Sequence, residues 1–191
     1  MKNIFVLFSP GTGGNHLSNL LSTDKRFTTR CKVEDYLNHT GINAHTSQIK
    51  NLSLNDIKIV EDNNNVLCGH FGEYYWLFLS GLIEKFDNRQ IFVIQVPERN
   101  TFGWKRYTKL NPLNDYFYEE QRSLYTIKIV QKVFNEQDII SLPGDLLFQS
   151  DFNILQEYIR NVCDIDMHIQ DCEQMHTIWY HKLLNSLKTN V

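Results

Sequence analysis

The chain has 191 residues, of which 42% are hydrophobic and 13% aromatic, enough apolar side chain to bury one core in a single domain, residues 1–191. Its formal net charge of −3 and isoelectric point near 6.1 argue against general nucleic-acid binding, which needs a concentrated basic surface. The opening apolar run stops at Pro10, too short for a signal-peptide core or a membrane span. The four cysteines contain no C-x-x-C pair, so a reduced, cytoplasmic protein without membrane association is expected.

In chain order, Ile4–Phe8 is a short apolar run with strand character. It leads into Ser9-Pro10-Gly11-Thr12-Gly13-Gly14-Asn15, after which Leu17, Leu20 and Leu21 recur at helical spacing. Glycines at 11, 13 and 14 let the backbone turn sharply and bring its N–H groups close to an anion, and the helix adds the positive end of its dipole. A glycine-rich turn with no ligand is the plain alternative. A Walker nucleotide loop, G-x-x-x-x-G-K-S/T, places lysine on the phosphates and a hydroxyl on Mg²⁺; Asn15 and His16 stand there instead, which disfavours a metal-dependent kinase.

The stretch 38–65 is the least readable: either a short helix near Val33–Leu37 and a strand at Ile57–Val60 are expected, or a substrate-facing excursion. Val66–Gly69 and Ile91–Val96 read as buried strands, with a thickly apolar helix from Tyr75 to Phe86 between them. Tyr74, Tyr75, Trp76 and Phe78 follow His70 and are expected to pack in the core more than to wall a pocket. Trp104, Lys105 and Arg106 suggest a basic helix face. Asp115–Glu120 reads as a solvated helix start, and Leu124, Ile127, Val130 and Phe134 stripe the helix that follows.

A strand at Ile139–Leu142 comes next, then Leu155, Ile159 and Val162 on one helix face after a cap at Ser150 or Asp151. Met175, Trp179 and Leu183 recur every four residues in the last helix. Cys163, His168, Cys172, His176 and His181 cluster there without zinc-finger spacing, so buried thiols and surface histidines are expected rather than a metal. Alternating helices and near-continuous apolar strands predict a three-layer α/β sandwich with a mainly parallel central sheet, which binds ligands at the carboxyl ends of its strands.

Four segments resemble the sulfotransferase superfamily. Ser9 to Leu17 is similar to its phosphosulfate loop, P-K-x-G-T-T-x-L, with Pro10, Gly13 and Leu17 aligned without gaps and Gly11 at the lysine. Val66 to Phe71 looks like the family's strand ending in T-H-L, whose histidine is the base. Ile91 to Asn100 stands where the family has a strand and two arginines, with Val96 at the first, Arg99 at the second and Trp104 at the serine that follows. Ile139–Leu142 and Gly144-Asp145-Leu146-Leu147 follow the C-terminal strand and E-D-L segment.

The resemblance implies a P-loop NTPase-like (sulfotransferase-like) fold. It also implies sulfuryl transfer without a metal from 3′-phosphoadenosine 5′-phosphosulfate to an acceptor hydroxyl of a sugar or small molecule. Gly11, Thr12, Gly13, Gly14, Asn15 and His16 would hold the donor, Arg99 its 3′-phosphate, and His70 would be the base; an imidazole at a strand end suits proton removal. In place of the cation missing at Gly11, His16 would contribute one N–H donor, its own cation being disfavoured by the helix dipole, or Lys105 or Arg106 would reach in. Two alternatives stay open: a catalytically inactive relative that binds a phosphorylated ligand or protein partner, and an atypical P-loop nucleotide kinase.

Overall fold

A computed structural model of the protein describes residues 3–9, 11–28, 33, 64–70, 89–110, 112 and 115–188. The strand expected at 57–60, the helix at 75–86, the aromatic group at 74–78 and all but Val33 of the helix near 33–37 lie outside these residues. In order come β1 (Asn3–Phe8), α1 (Gly14–Leu21), β2 (Val66–His70), β3 (Arg89–Ile94), α2 (Phe102–Leu110), α3 (Tyr116–Val133), β4 (Ile139–Leu142), α4 (Phe152–Val162) and α5 (Ile169–Lys188). Short 3₁₀ turns precede and follow β4, at Glu136–Asp138 and Gly144–Phe148.

The four strands form one all-parallel sheet in the order β2-β1-β3-β4, so the chain is an α/β protein. The path runs from β1 to one side and from β3 to the other, which puts the topological switch point between them. Both the glycine loop after β1 and the turn after β3 open at the carboxyl edge of that crevice.

Side chains alternate across a strand, and the register assigns the faces. Ile4, Val6 and Phe8 line up with Val66, Cys68, Phe92, Ile94, Ile140 and Leu142. These join Leu17, Leu20 and Leu21 of α1, Leu155 and Ile159 of α4, and Met175 and Leu183 of α5 in one buried cluster. Phe5, Leu7, Leu67, Ile91 and Val93 are buried on the opposite face. There α3 packs against β3 and β4, and Arg89 lies over the Phe134 ring at 4.9 Å. Helices on both faces explain why the strands read as unbroken apolar runs; each buried aliphatic side chain contributes about 1.5–3 kcal/mol.

The element boundaries have local reasons, and the end of β3 differs from expectation. β3 ends at Ile94, because Pro97 has no N–H to continue a ladder whose partner strand stops at Pro143. α3 starts at Tyr116, ahead of its apolar stripe, since the Asp115 carboxylate accepts from the Phe117 N–H at 2.8 Å and satisfies one orphan donor of the first turn. Asp151, not Ser150, caps α4 through the Asn153 N–H at 2.9 Å. Among the described residues no helix is long and apolar enough to cross a membrane.

The junction of β1 and α1 leaves no room for a side chain. A Cβ on Gly14 would overlap the Phe8 ring, which is itself 2% exposed. Gly14→Ala should therefore destabilise by about 1–3 kcal/mol through overpacking, read as a lower urea midpoint with an unchanged m-value.

Candidate functional site

The glycine loop owes its shape to two residues without side chains. Gly11 and Gly13 sit at φ 93° and 86°, a region that a side chain makes costly by roughly 1–2 kcal/mol. The position that resembles the family's lysine is thus one where lysine would be strained. Thr12 closes the turn: its N–H and Oγ1 both donate to the Ser9 carbonyl, at 3.1 and 2.7 Å. Gly13 caps α1 with no side-chain hydrogen bond, and the first turn carries no acidic residue, so neither the cap nor the first turn neutralises the positive dipole end.

β2 brings the histidine to this loop. His70 lies in register with Phe8, its ring edge-on to the Phe8 ring at 4.7 Å and 84°. Cys68, two residues earlier on the same face, donates its thiol to Asn15 Oδ1 at 3.3 Å. That contact holds the first turn of α1 beside the end of β2. With Oδ1 engaged, the Asn15 Nδ2 hydrogens are the side chain's donors.

His16 is turned elsewhere. Its ring is 2% exposed, stacks on Trp179 at 4.1 Å and 6°, and places Nε2 3.0 Å from His176 Nδ1. His176 Nε2 lies 2.7 Å from the Gln149 carbonyl, which can only accept. His176 therefore carries its proton on Nε2, and His16 Nε2–H donates to the bare His176 Nδ1. Burial, and then the neighbouring His176, hold the His16 pKa well below its usual 6.5. The Nε2–H expected as a donor to the loop is instead engaged by His176 of α5, and the ring stays neutral, as the helix start also favours. The surface position expected of His176 is likewise wrong, at 0% exposure.

The other expected cations are dispersed. Arg99, past the end of β3 and across the crevice from the loop, is exposed, with its guanidinium 6.0 Å from the Phe117 ring centre. Lys105 is exposed on α2. Arg106 is partly buried, with no hydrogen-bond partner at Nε, and burial lowers its pKa. A cavity of about 240 Å³ at the ends of β3 and β4 is lined by Gln95, Glu98, Thr101 and Asp145. Asp145 Oδ2 accepts the Glu98 N–H there at 2.7 Å. Its charge is the wrong sign for a second phosphate. A groove of about 1100 Å³ lies among Arg26, Arg160, Asp164 and His168, at the far end of α1 from the loop.

The C-terminal thiols and histidines have separate bonds: Cys172 with Thr23 at 3.1 Å, Cys163 with the Ile159 carbonyl at 3.2 Å, and His168 with Asp171 at 3.0 Å. Among the described residues no three metal-ligating side chains converge.

One site residue escaped the sequence reading. Glu119, expected on a solvated helix start, is 1% exposed. It accepts from Ser9 Oγ at 3.3 Å and lies 3.6 Å from Arg122, tying α3 to the first residue of the loop. Its signal was the i, i+4, i+8 spacing with Ser123 and Ile127, both buried. Comparison of the chain with protein-family models and with curated proteins gives no match.

Removing the Ser9 hydroxyl takes one donor from a buried carboxylate. Ser9→Ala should cost about 1–3 kcal/mol of stability, measurable as a drop in thermal midpoint against Ser22→Ala, whose hydroxyl donates to the Ser18 and Asn19 carbonyls of its own helix.

Proposed function

We propose that the chain is a sulfotransferase-like enzyme of the P-loop type, moving a sulfuryl group from 3′-phosphoadenosine 5′-phosphosulfate to an acceptor hydroxyl. The observation that carries this reading is the register of β2 against β1, which sets His70 beside an uncapped helix start on the same face of the sheet. The amides of Gly13, Gly14 and Asn15 and the Asn15 Nδ2 group hold the phosphosulfate, the Thr12 N–H being taken by the Ser9 carbonyl that shapes the turn. His70 takes the acceptor's proton as its oxygen attacks sulfur. The new S–O bond forms as the bond from sulfur to the bridging phosphate oxygen breaks, and 3′-phosphoadenosine 5′-phosphate leaves.

Charge on that leaving group falls to amides and the α1 dipole, an electrostatic arrangement fixed before reaction. Arg99 is the donor's partner for its 3′-phosphate in this reading. A second reading, a catalytically silent relative that binds a phosphorylated ligand, is favoured by Gly11 and Val96, which stand where the family carries charge. Nucleotide kinase activity has no comparable support, given Asn15 and His16.

Calorimetric titration with 3′-phosphoadenosine 5′-phosphate should show binding, and ATP with Mg²⁺ none; binding of neither compound removes both enzyme readings. In the transfer assay His70→Ala should lower kcat by about 10²–10⁴-fold while donor affinity stays within about twofold. Unchanged kcat in that variant would exclude His70 as the base, and donor binding without turnover in the wild type would select the silent relative.

A further inference from the structure

The contact between α1 and α5 holds more than the core packing requires. A Cβ added to Gly13 would meet Leu147 Cδ1 at 3.3 Å and Trp179 Cζ2 at 3.4 Å, so the indole lies directly on the loop's last glycine. The same indole stacks on His16, and Phe148 packs beside it at 5.5 Å. Three residues before Trp179, His176 links α5 to α1 through His16 and to the start of α4 through Gln149. We propose that the His16–His176 pair is an acid-released latch: with both rings neutral it seats α5 and Trp179 over the phosphate loop, and proton uptake undocks α5 and bares Gly13.

The hydrogen bonding sets the proton count. One added proton leaves a cation between Trp179, Phe152 and the sheet core. A second sets N–H against N–H across the 3.0 Å contact, and turning the His176 ring away to relieve it gives up the bond to the Gln149 carbonyl. The charged and titratable groups around the pair are few. Asp151 at the start of α4 favours a charged His176, Tyr180 of α5 lies 6.4 Å from its ring, and Cys172 is one turn away with its thiol on Thr23. On α1 neither the first turn nor the last adds a charge. The Trp179 face attracts a cation, yet burial wins at both rings, whose pKa values are lowered.

The sign follows from linkage. Undocked, each histidine titrates near the ordinary value of 6.5; docked, each resists the proton. The undocked state therefore binds more protons below about pH 6.5, and docking is fully present above that value and weakens as pH falls. Each proton taken up on release changes the opening constant about tenfold per pH unit, and two change it about a hundredfold.

The test uses the full chain from pH 8 to pH 5, following histidine ring signals by NMR and backbone amide exchange corrected for intrinsic rates. Expected is a gain in α5 exchange of between ten- and a hundredfold per pH unit below about 6.5. The 13–16 amides should follow it, with the β1 and β3 amides still protected. His16→Gln with His176→Gln, which keeps neutral hydrogen-bonding groups, should flatten that dependence. Constant α5 protection across the range overturns the latch, as does simultaneous loss of α5 and sheet protection, which is global acid unfolding. The wild-type titration decides the matter alone if the double variant does not fold.

Discussion

The close approach of α1 to the end of β1 governs the rest of the site. Because Gly14 has no side chain, the Phe8 ring fills the space beneath the helix start, and the helix can begin immediately after the loop. That proximity also fixes its neighbours. The Phe8 ring meets His70, and Asn15 reaches the Cys68 thiol, so one apolar contact aligns the loop, the histidine and the first helical turn. A larger residue at position 14 would lift α1 and separate all three.

Much of the architecture was legible because it is local or periodic. The strands announced themselves as apolar runs, the glycines marked the loop, and Asp151 obeyed the ordinary rules of helix capping. The histidine latch was not legible, since His16 and His176 are 160 positions apart and a single sequence names no partner. A helical wheel could have placed His176 on the face of Cys172, Trp179 and Leu183, but not opposite His16. Glu119 was misjudged because carboxylates are rarely buried. Arg122 pairs with it locally, three residues on in the same helix, but the Ser9 contact exists only because α3 packs against the sheet.

The same division applies to the site's chemistry. Residue types in the loop spoke for an anion, and the strand-end histidine for proton transfer; the fold puts those two together. The charge expected to join them does not gather. Arg99 stands across the crevice beside an aromatic ring, Arg106 sits partly buried in α2, and the cavity between β3 and β4 is acidic. Tertiary placement, invisible to motif spacing, turned a set of plausible cations into separate surface and packing residues.

The absence of lysine at Gly11 is therefore a property of the backbone as much as of charge. A positive φ at that position selects glycine, and the turn so formed exposes amides where the family's loop exposes an ammonium. Neutral donors make weaker hydrogen bonds than charged ones, by about half, but they are held rigidly and need no reorganisation when charge develops. Catalysis depends on interactions that strengthen between ground and transition state, and losing a single preorganised donor typically costs 10²–10³ in rate. A loop of fixed amides is consequently suited to breaking a bond as well as to holding an anion, provided α5 and Trp179 leave room above Gly13 for the group that reacts.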